Sequence, residues 1–276
     1  MKVKSFPFAG LKLSYYDSES DKPPILFCHA NGYSAGCYQY YFNQLKNDYR
    51  VLALDFAGHG RSEMSLQFKN WYFFRDQILT LLEHEKIEHI TSVGHSLGGA
   101  STLLASVKEP DRFKKLIVWD PVILGFKLIT LAKILGNPLA RGAAKRRSKF
   151  SSLELVRRSY KKFPAFANFN SSIYEDYLAS CFRSTGHGQE VELCCDPRVE
   201  TQIFSHSHYQ VILNFYRIKN ETHVLIPKKY EVCSPTLAGV ITKKNPYSSV
   251  TIWEEATHFF PFEKPEATLE WLMKKI

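Results

Sequence analysis

The sequence contains no Cys-x-x-Cys pair. Its six cysteines, Cys28, Cys37, Cys181, Cys194, Cys195 and Cys233, are spaced for neither a zinc site nor a disulfide framework. A reducing, cytoplasmic compartment is the default expectation. The N-terminal stretch MKVKSFPFAGLKLSYYD holds lysines but no continuous apolar run, which argues against a secretory signal. The most apolar stretch, Leu116 to Leu135, is interrupted by Asp120, Lys127 and Lys133, at odds with a membrane-spanning helix. Internal repeats and low-complexity tracts are missing. Acidic residues are in the minority, 27 against 36 Lys and Arg, for a net charge of +9. That balance admits nucleic acid, an anionic membrane or an acidic substrate and selects none of them. No nucleic-acid motif accompanies it, so no nucleic-acid partner is expected. A chain kept dispersed by its own charge is the simpler reading.

What is present is a large core. Apolar residues are 45% and aromatics 14% of 276 residues, enough for one domain with a sizeable insertion. Short apolar runs alternate with helical patterns through the first 120 residues. Ile25–His29, Val51–Asp55, Ile90–Val93 and Leu116–Trp119 read as buried strands, the last stopped by Asp120-Pro121. Between them, Gln39–Asn47 suits a crossover helix, and Phe74, Ile78, Leu81 and Leu82 share one helical face. Ala100, Leu103, Leu104 and Val107 do the same. This alternation predicts an α/β fold, a mostly parallel sheet with helices on both faces. Val3–Tyr16 predicts an antiparallel hairpin at one edge.

After Asp120 the strand signals thin out. Residues 122–227 read as a helical cap inserted into a core of 1–121 and 228–276. Ser151 and Glu154 form a capping box for one of its helices. An insertion this long is an element in its own right, placed over the sheet's C-terminal edge. Strand signals return at Thr236–Ile241 and Val250–Trp253. A final helix starts at Pro265, with Leu269, Leu272, Met273 and Ile276 as its apolar stripe.

The strongest chemical signal is Gly94-His95-Ser96-Leu97-Gly98-Gly99, a G-x-S-x-G between an apolar strand and a helix. A serine on so sharp a turn needs neighbours without colliding side chains, which Gly94 and Gly98 supply. Cys28-His29-Ala30-Asn31-Gly32 ends an earlier strand, where a loop can aim a backbone N–H at a developing oxyanion. The Asn31 and Leu97 amides are the expected pair of donors. His29 is read as support for that loop, and His95 as support for the elbow. His258, in Ala256-Thr257-His258-Phe259 after the last strand, is the natural base for Ser96, whose hydroxyl is a weak nucleophile until an imidazole accepts its proton.

The segments HANG, DFAGHGRS, GHSLGG and ATHFFPFEKPE together resemble the α/β-hydrolase superfamily, in its branch with a cap domain. The resemblance covers Ile25 to Asp120 and Thr236 to Ile276, and leaves the cap uncovered. It implies an eight-stranded α/β-hydrolase sheet, a Ser–acid–His triad, esterase-type acyl transfer and no metal or organic cofactor. The family usually carries its acid after the strand read here as Thr236–Ile241. The residues that follow, Thr242 to Ser249, include no carboxylate. Asp120, at the preceding strand end, keeps the order Ser96, Asp120, His258 and becomes the expected acid. The alternative is that Asp120 caps a helix or binds backbone in a turn.

The implied activity is cleavage of a carboxylic ester or thioester, with a small apolar or acyl substrate. Rivals using the same triad are a C–C bond hydrolase and a cofactor-free perhydrolase; a non-catalytic ligand-binding protein on this fold is a third. Aspartate in place of Ser96 would have pointed to a dehalogenase or epoxide hydrolase. Between Pro121 and Ser180 eleven basic residues face only Glu154, Glu175 and Asp176. Such a cap steers anionic substrates or rests on a membrane surface, with Ile123–Leu135 as the apolar side; a solvated face that binds nothing is the other reading.

Overall fold

The computed structural model describes residues 1–206, 213–229 and 232–276. Strands β1 (Lys2–Phe8) and β2 (Leu11–Asp17) form the expected edge hairpin. It turns at Ala9 and Gly10, both at positive φ (47° and 80°). Strand β3 (Pro24–Cys28) is followed by a 3-10 turn at Ala35–Tyr38 and α1 (Gln39–Leu45). Next come β4 (Arg50–Leu54), α2 (Tyr72–His84), β5 (Ile90–His95), α3 (Leu97–Lys108) and β6 (Phe113–Trp119).

The insertion carries α4 (Phe126–Leu135), α5 (Pro138–Ala144), β7 (Lys149–Phe150), α6 (Leu153–Tyr160), α7 (Pro164–Ala167) and α8 (Ser171–Cys181). After these come β8 (Phe182–Ser184), β9 (Val191–Leu193) and α9 (Pro197–Ser205). The chain then returns through β10 (Glu221–Pro227), α10 (Pro235–Thr242), β11 (Ser249–Trp253), α11 (Phe260–Glu263) and α12 (Pro265–Met273).

The main sheet has eight strands in the order β1-β2-β4-β3-β5-β6-β10-β11. It is parallel from β4 to β11, with β2 antiparallel to β4. Alternation along the strands divides the core. Leu26, Leu52 and Leu54 face the side that holds Ile78, Leu81, Leu82, Leu103 and Leu104 of α2 and α3. Ile25, Phe27, Val51, Ala53 and Val93 face Phe42 and Leu45 of α1 and Leu272 of α12.

Four expectations are corrected. Thr236–Ile241 is not a strand but the body of α10. Ser234 caps it, accepting a hydrogen bond from the Leu237 amide at 3.3 Å, and Pro235 opens its first turn. The seventh sheet strand is β10, so the insertion expected at 122–227 runs into the core; Glu221–Pro227 pairs with β6 and β11. The cap of α6 is Ser152, which accepts from the Leu155 amide at 3.2 Å, rather than Ser151. In α12 the buried face is Pro265, Thr268, Trp271 and Leu272, while Met273 is exposed. The insertion is mostly helical, but it also contains a small antiparallel sheet in the order β7-β9-β8.

Candidate active site

Ser96 stands between β5 and α3 with φ 55° and ψ −115°, a conformation that a non-glycine residue adopts only when its surroundings force it. The flanking glycines show the force. A Cβ on Gly98 would lie 2.0 Å from the Cys28 carbonyl oxygen, and one on Gly94 would lie 2.7 Å from the Gly98 backbone. Only bare backbone lets α3 leave the sheet so steeply beside the end of β3. The Ser96 amide donates to the Trp119 carbonyl at 3.0 Å, which fastens the elbow to β6.

Asp120 ends β6, fully buried, at φ 38°. Its own amide donates to the Leu225 carbonyl of β10 at 2.8 Å. His258 lies on the loop between β11 and α11. Its Nδ1 is 2.6 Å from Asp120 Oδ2, and its Nε2 is 3.0 Å from Ser96 Oγ. A carboxylate only accepts, so Nδ1 carries the proton and Nε2 is left to accept from the serine hydroxyl. The structure therefore brings together all three residues singled out in the sequence. The carboxylate nearest the end of β10 in sequence, Glu231, lies outside the described residues.

The Asn31 loop is tied down amide by amide. The Ala30 N–H donates to Tyr38 Oη (3.2 Å), the Gly32 N–H to His59 Nε2 (3.1 Å) and the Tyr33 N–H to the Ala30 carbonyl (3.2 Å). Among the described residues the Asn31 amide has no acceptor. The Leu97 amide, at the first position of α3, has no intrahelical acceptor either. His29 is buried beside this loop: Nδ1–H donates to the Ala30 carbonyl (2.8 Å) and Nε2 accepts from the Phe56 amide (3.0 Å). Burial pushes its pKa well below the usual histidine value, so it stays neutral.

His95 makes a second brace. Its Nε2–H donates to the His258 carbonyl at 2.9 Å, and its Nδ1 accepts from the Tyr38 hydroxyl at 2.7 Å. Burial lowers the His95 pKa strongly, which preserves this neutral, directional arrangement. Tyr38 thus joins the Asn31 loop to the His258 loop, a role that no sequence spacing signals. The insertion reaches the same loop. Asn31 Nδ2 donates to the Glu200 carbonyl at 3.3 Å, and Arg146 spans Glu200 Oε2 (2.7 Å) and Tyr177 Oη (3.0 Å). Beside His258, Tyr33, Phe166, Phe169, Phe259 and Phe262 build an aromatic wall. A surface cavity of about 650 Å³ lined by Glu63, Lys149, Arg183 and Asp196 contains none of Ser96, Asp120 and His258. Among the described residues no group of three His, Cys, Asp or Glu is placed to hold a metal ion.

Comparison with known proteins agrees with the architecture. The alpha/beta hydrolase fold family matches residues 23–178, and the chain belongs to that family. Human epoxide hydrolase 4 is 26% identical over 94% of this chain and 74% of its own length. An uncharacterized hydrolase of Bacillus subtilis is 28% identical over 42% of this chain, and the chain spans 43% of that relative. E-2-(acetamidomethylene)succinate hydrolase superimposes with a TM-score of 0.82 at 16% identity, over 99% of this chain and 98% of its own. The thioesterase domain from the curacin biosynthetic pathway gives 0.80 at 16% identity, over 99% of each chain. These two structural likenesses are of fold. With the family established, the chain has the α/β-hydrolase fold.

Proposed function

We propose that the chain is a serine hydrolase that cleaves a carboxylic ester or thioester through an acyl-enzyme. The observation that carries this reading is the unbroken hydrogen-bond path from Ser96 Oγ to His258 Nε2 and from His258 Nδ1 to Asp120 Oδ2. His258 takes the Ser96 proton as the oxygen attacks the acyl carbonyl, and Asp120 holds the imidazole in the required tautomer and stabilises its cation. The Asn31 and Leu97 amides receive the oxyanion, each donor lowering the barrier by about 3 kcal/mol. Protonation by His258 releases the alcohol or thiol, and water then attacks the acyl-enzyme by the same route.

Relatives named as epoxide hydrolase and haloalkane dehalogenase share the fold. A serine at the elbow favours acyl chemistry over either of their named reactions. Tyr33, Phe259 and the other aromatics favour an apolar acyl group. C–C cleavage and perhydrolysis use the same three residues, and a panel of esters, thioesters and diketones separates them.

The test is labelling by a fluorophosphonate, read by intact mass. One adduct is expected on the wild type, none on Ser96→Ala, and much slower labelling on His258→Ala and Asp120→Asn. Normal labelling of Asp120→Asn would transfer the acid's role to another carboxylate. A folded wild type that never labels would leave a ligand-binding protein on this fold as the better reading.

A further inference from the structure

Helices α4 and α5 are consecutive in the chain, α5 packs on α9, and the rest of the chain leaves large apolar side chains of both open. Leu128, Leu131, Ile134 and Leu135 of α4 and Leu139 of α5 are between 52% and 74% exposed, and Ile129 is the one buried residue of α4. Leu128, Leu131 and Leu135 are spaced along one helical face, with Ile134 beside it. Gly136, at φ 77°, ends α4, and Leu139 of α5 is exposed three residues later. Exposed apolar residues scattered singly need no explanation, whereas a contiguous group marks an interaction site.

The charge on this segment is one-sided. From Pro121 to Leu153 the sequence has no acidic residue, and Lys127, Arg141, Lys145, Arg147 and Lys149 are exposed. The later part of the insertion differs, since Arg157 and Arg158 pair with Glu154, and Arg157 also with Glu175. A second copy of the chain would bring like charges together across any symmetric contact. A nucleic acid would match the charge but offer no apolar layer for five leucine and isoleucine side chains. An anionic bilayer supplies both. None of the helices among the described residues is long and apolar enough to cross a membrane, so the fitting geometry is α4 lying in the interface.

We propose that the exposed apolar and basic residues of α4 and α5 are a docking surface for an anionic lipid bilayer. Leu128, Leu131, Ile134, Leu135 and Leu139 enter the boundary of the acyl layer, while Lys127, Arg141 and Lys145 lie against the headgroup phosphates. The segment begins six residues after Asp120, so docking tethers the sheet edge that carries Ser96 to the lipid surface.

The experiment is co-sedimentation of the full chain with phosphatidylcholine vesicles and with vesicles that also contain phosphatidylserine. Binding is expected to the anionic vesicles, to weaken as salt is raised, and to fall at least about tenfold in Leu131→Ser/Ile134→Ser. Lys127→Glu/Arg141→Glu is expected to lose about 25-fold or more, taking roughly fivefold for each basic residue removed. Fluorophosphonate labelling in the absence of vesicles checks that every variant is folded with its site intact, so loss of docking is read separately from loss of catalysis. No wild-type binding to anionic vesicles overturns the proposal. So does equal binding to both vesicle types that the charge variant leaves unchanged. A concentration-dependent dimer abolished by Leu131→Ser/Ile134→Ser, with no vesicle binding, assigns the surface to self-association and also overturns it.

Discussion

The elbow edge of the sheet and the α4–α5 segment are separated by a few residues of chain and follow opposite rules. Around Ser96 buried polar side chains hold one another: Asp120, His95, His29 and Tyr38 are each buried and each holds a neighbour at 2.6–3.2 Å, while Asp120 Oδ1 is buried without a partner among the described residues. On the α4–α5 segment, large apolar side chains stand in solvent and few contacts hold them. A site that moves protons has to be over-determined, because a shift of about 1 Å costs orders of magnitude in rate. A docking surface has to stay uncommitted until its partner arrives. The sharpest contrast is therefore in how each region answers substitution.

The largest effect is expected from Ser96→Ala, which should lower turnover of any ester substrate on the order of 10⁶-fold while leaving the fold intact. Asp120→Asn should follow at roughly 10⁴-fold, because an amide holds the imidazole in the wrong tautomer. Gly98→Ala comes next. With a Cβ forced to 2.0 Å from the Cys28 oxygen, α3 has to move, and denaturant titration should show a loss of about 3 kcal/mol or more.

Acid sensitivity ranks below these. Burial pushes the His59 pKa from the usual 6.5 down to about 4. Its contribution is complete above pH 6.5 and is lost as pH falls through about 4, at most about 3 kcal/mol. His29 and His95 act in the same direction. Asp55 acts in the other: burial raises it from 3.8 to about 6, so its contribution is present below pH 3.8 and lost as pH rises through 6. Burial also lowers His223 and raises Asp176 to about 6, so four histidines against two aspartates predict that the urea midpoint falls as pH drops from 7 to 4.5, and that His59→Gln flattens part of that slope. A midpoint constant across this range would contradict it. The smallest effect belongs to the α4–α5 segment: Leu131→Ser/Ile134→Ser should change stability by about 0.5 kcal/mol or less in the absence of lipid. A large loss there would erase the contrast.

The elbow was legible because its sterics force sequence. Few residue types satisfy a turn at φ 55° with backbone closing in on both sides, so Gly94, Ser96 and Gly98 announce themselves. The β10 strand was not. It starts with the polar run Glu221-Thr222-His223 and ends in Pro227, which masks an apolar centre of only Val224, Leu225 and Ile226. Its neighbour α10 was misread for the converse reason: Thr236-Leu237-Ala238-Gly239-Val240-Ile241 is rich in strand-formers, yet Ser234 and Pro235 set a helix start that outweighs them. Asp120 was thus reached from a misassigned strand, and its place beside His258 rests on the 2.6 Å contact rather than on that argument. The α4 face was legible as apolar, but pattern alone does not distinguish a buried stripe from an open one.

The Glu200 carbonyl that holds the Asn31 side chain, with Arg146 anchoring Glu200, has a consequence for how this chain can diversify. Exchanging insertions between family members is a ready route to new substrate range. Here, a chimera that imports a foreign insertion also removes a strut from the Asn31 loop. Selectivity and turnover are then inherited together, and a graft succeeds only if it brings its own equivalent of the Arg146–Glu200 anchor.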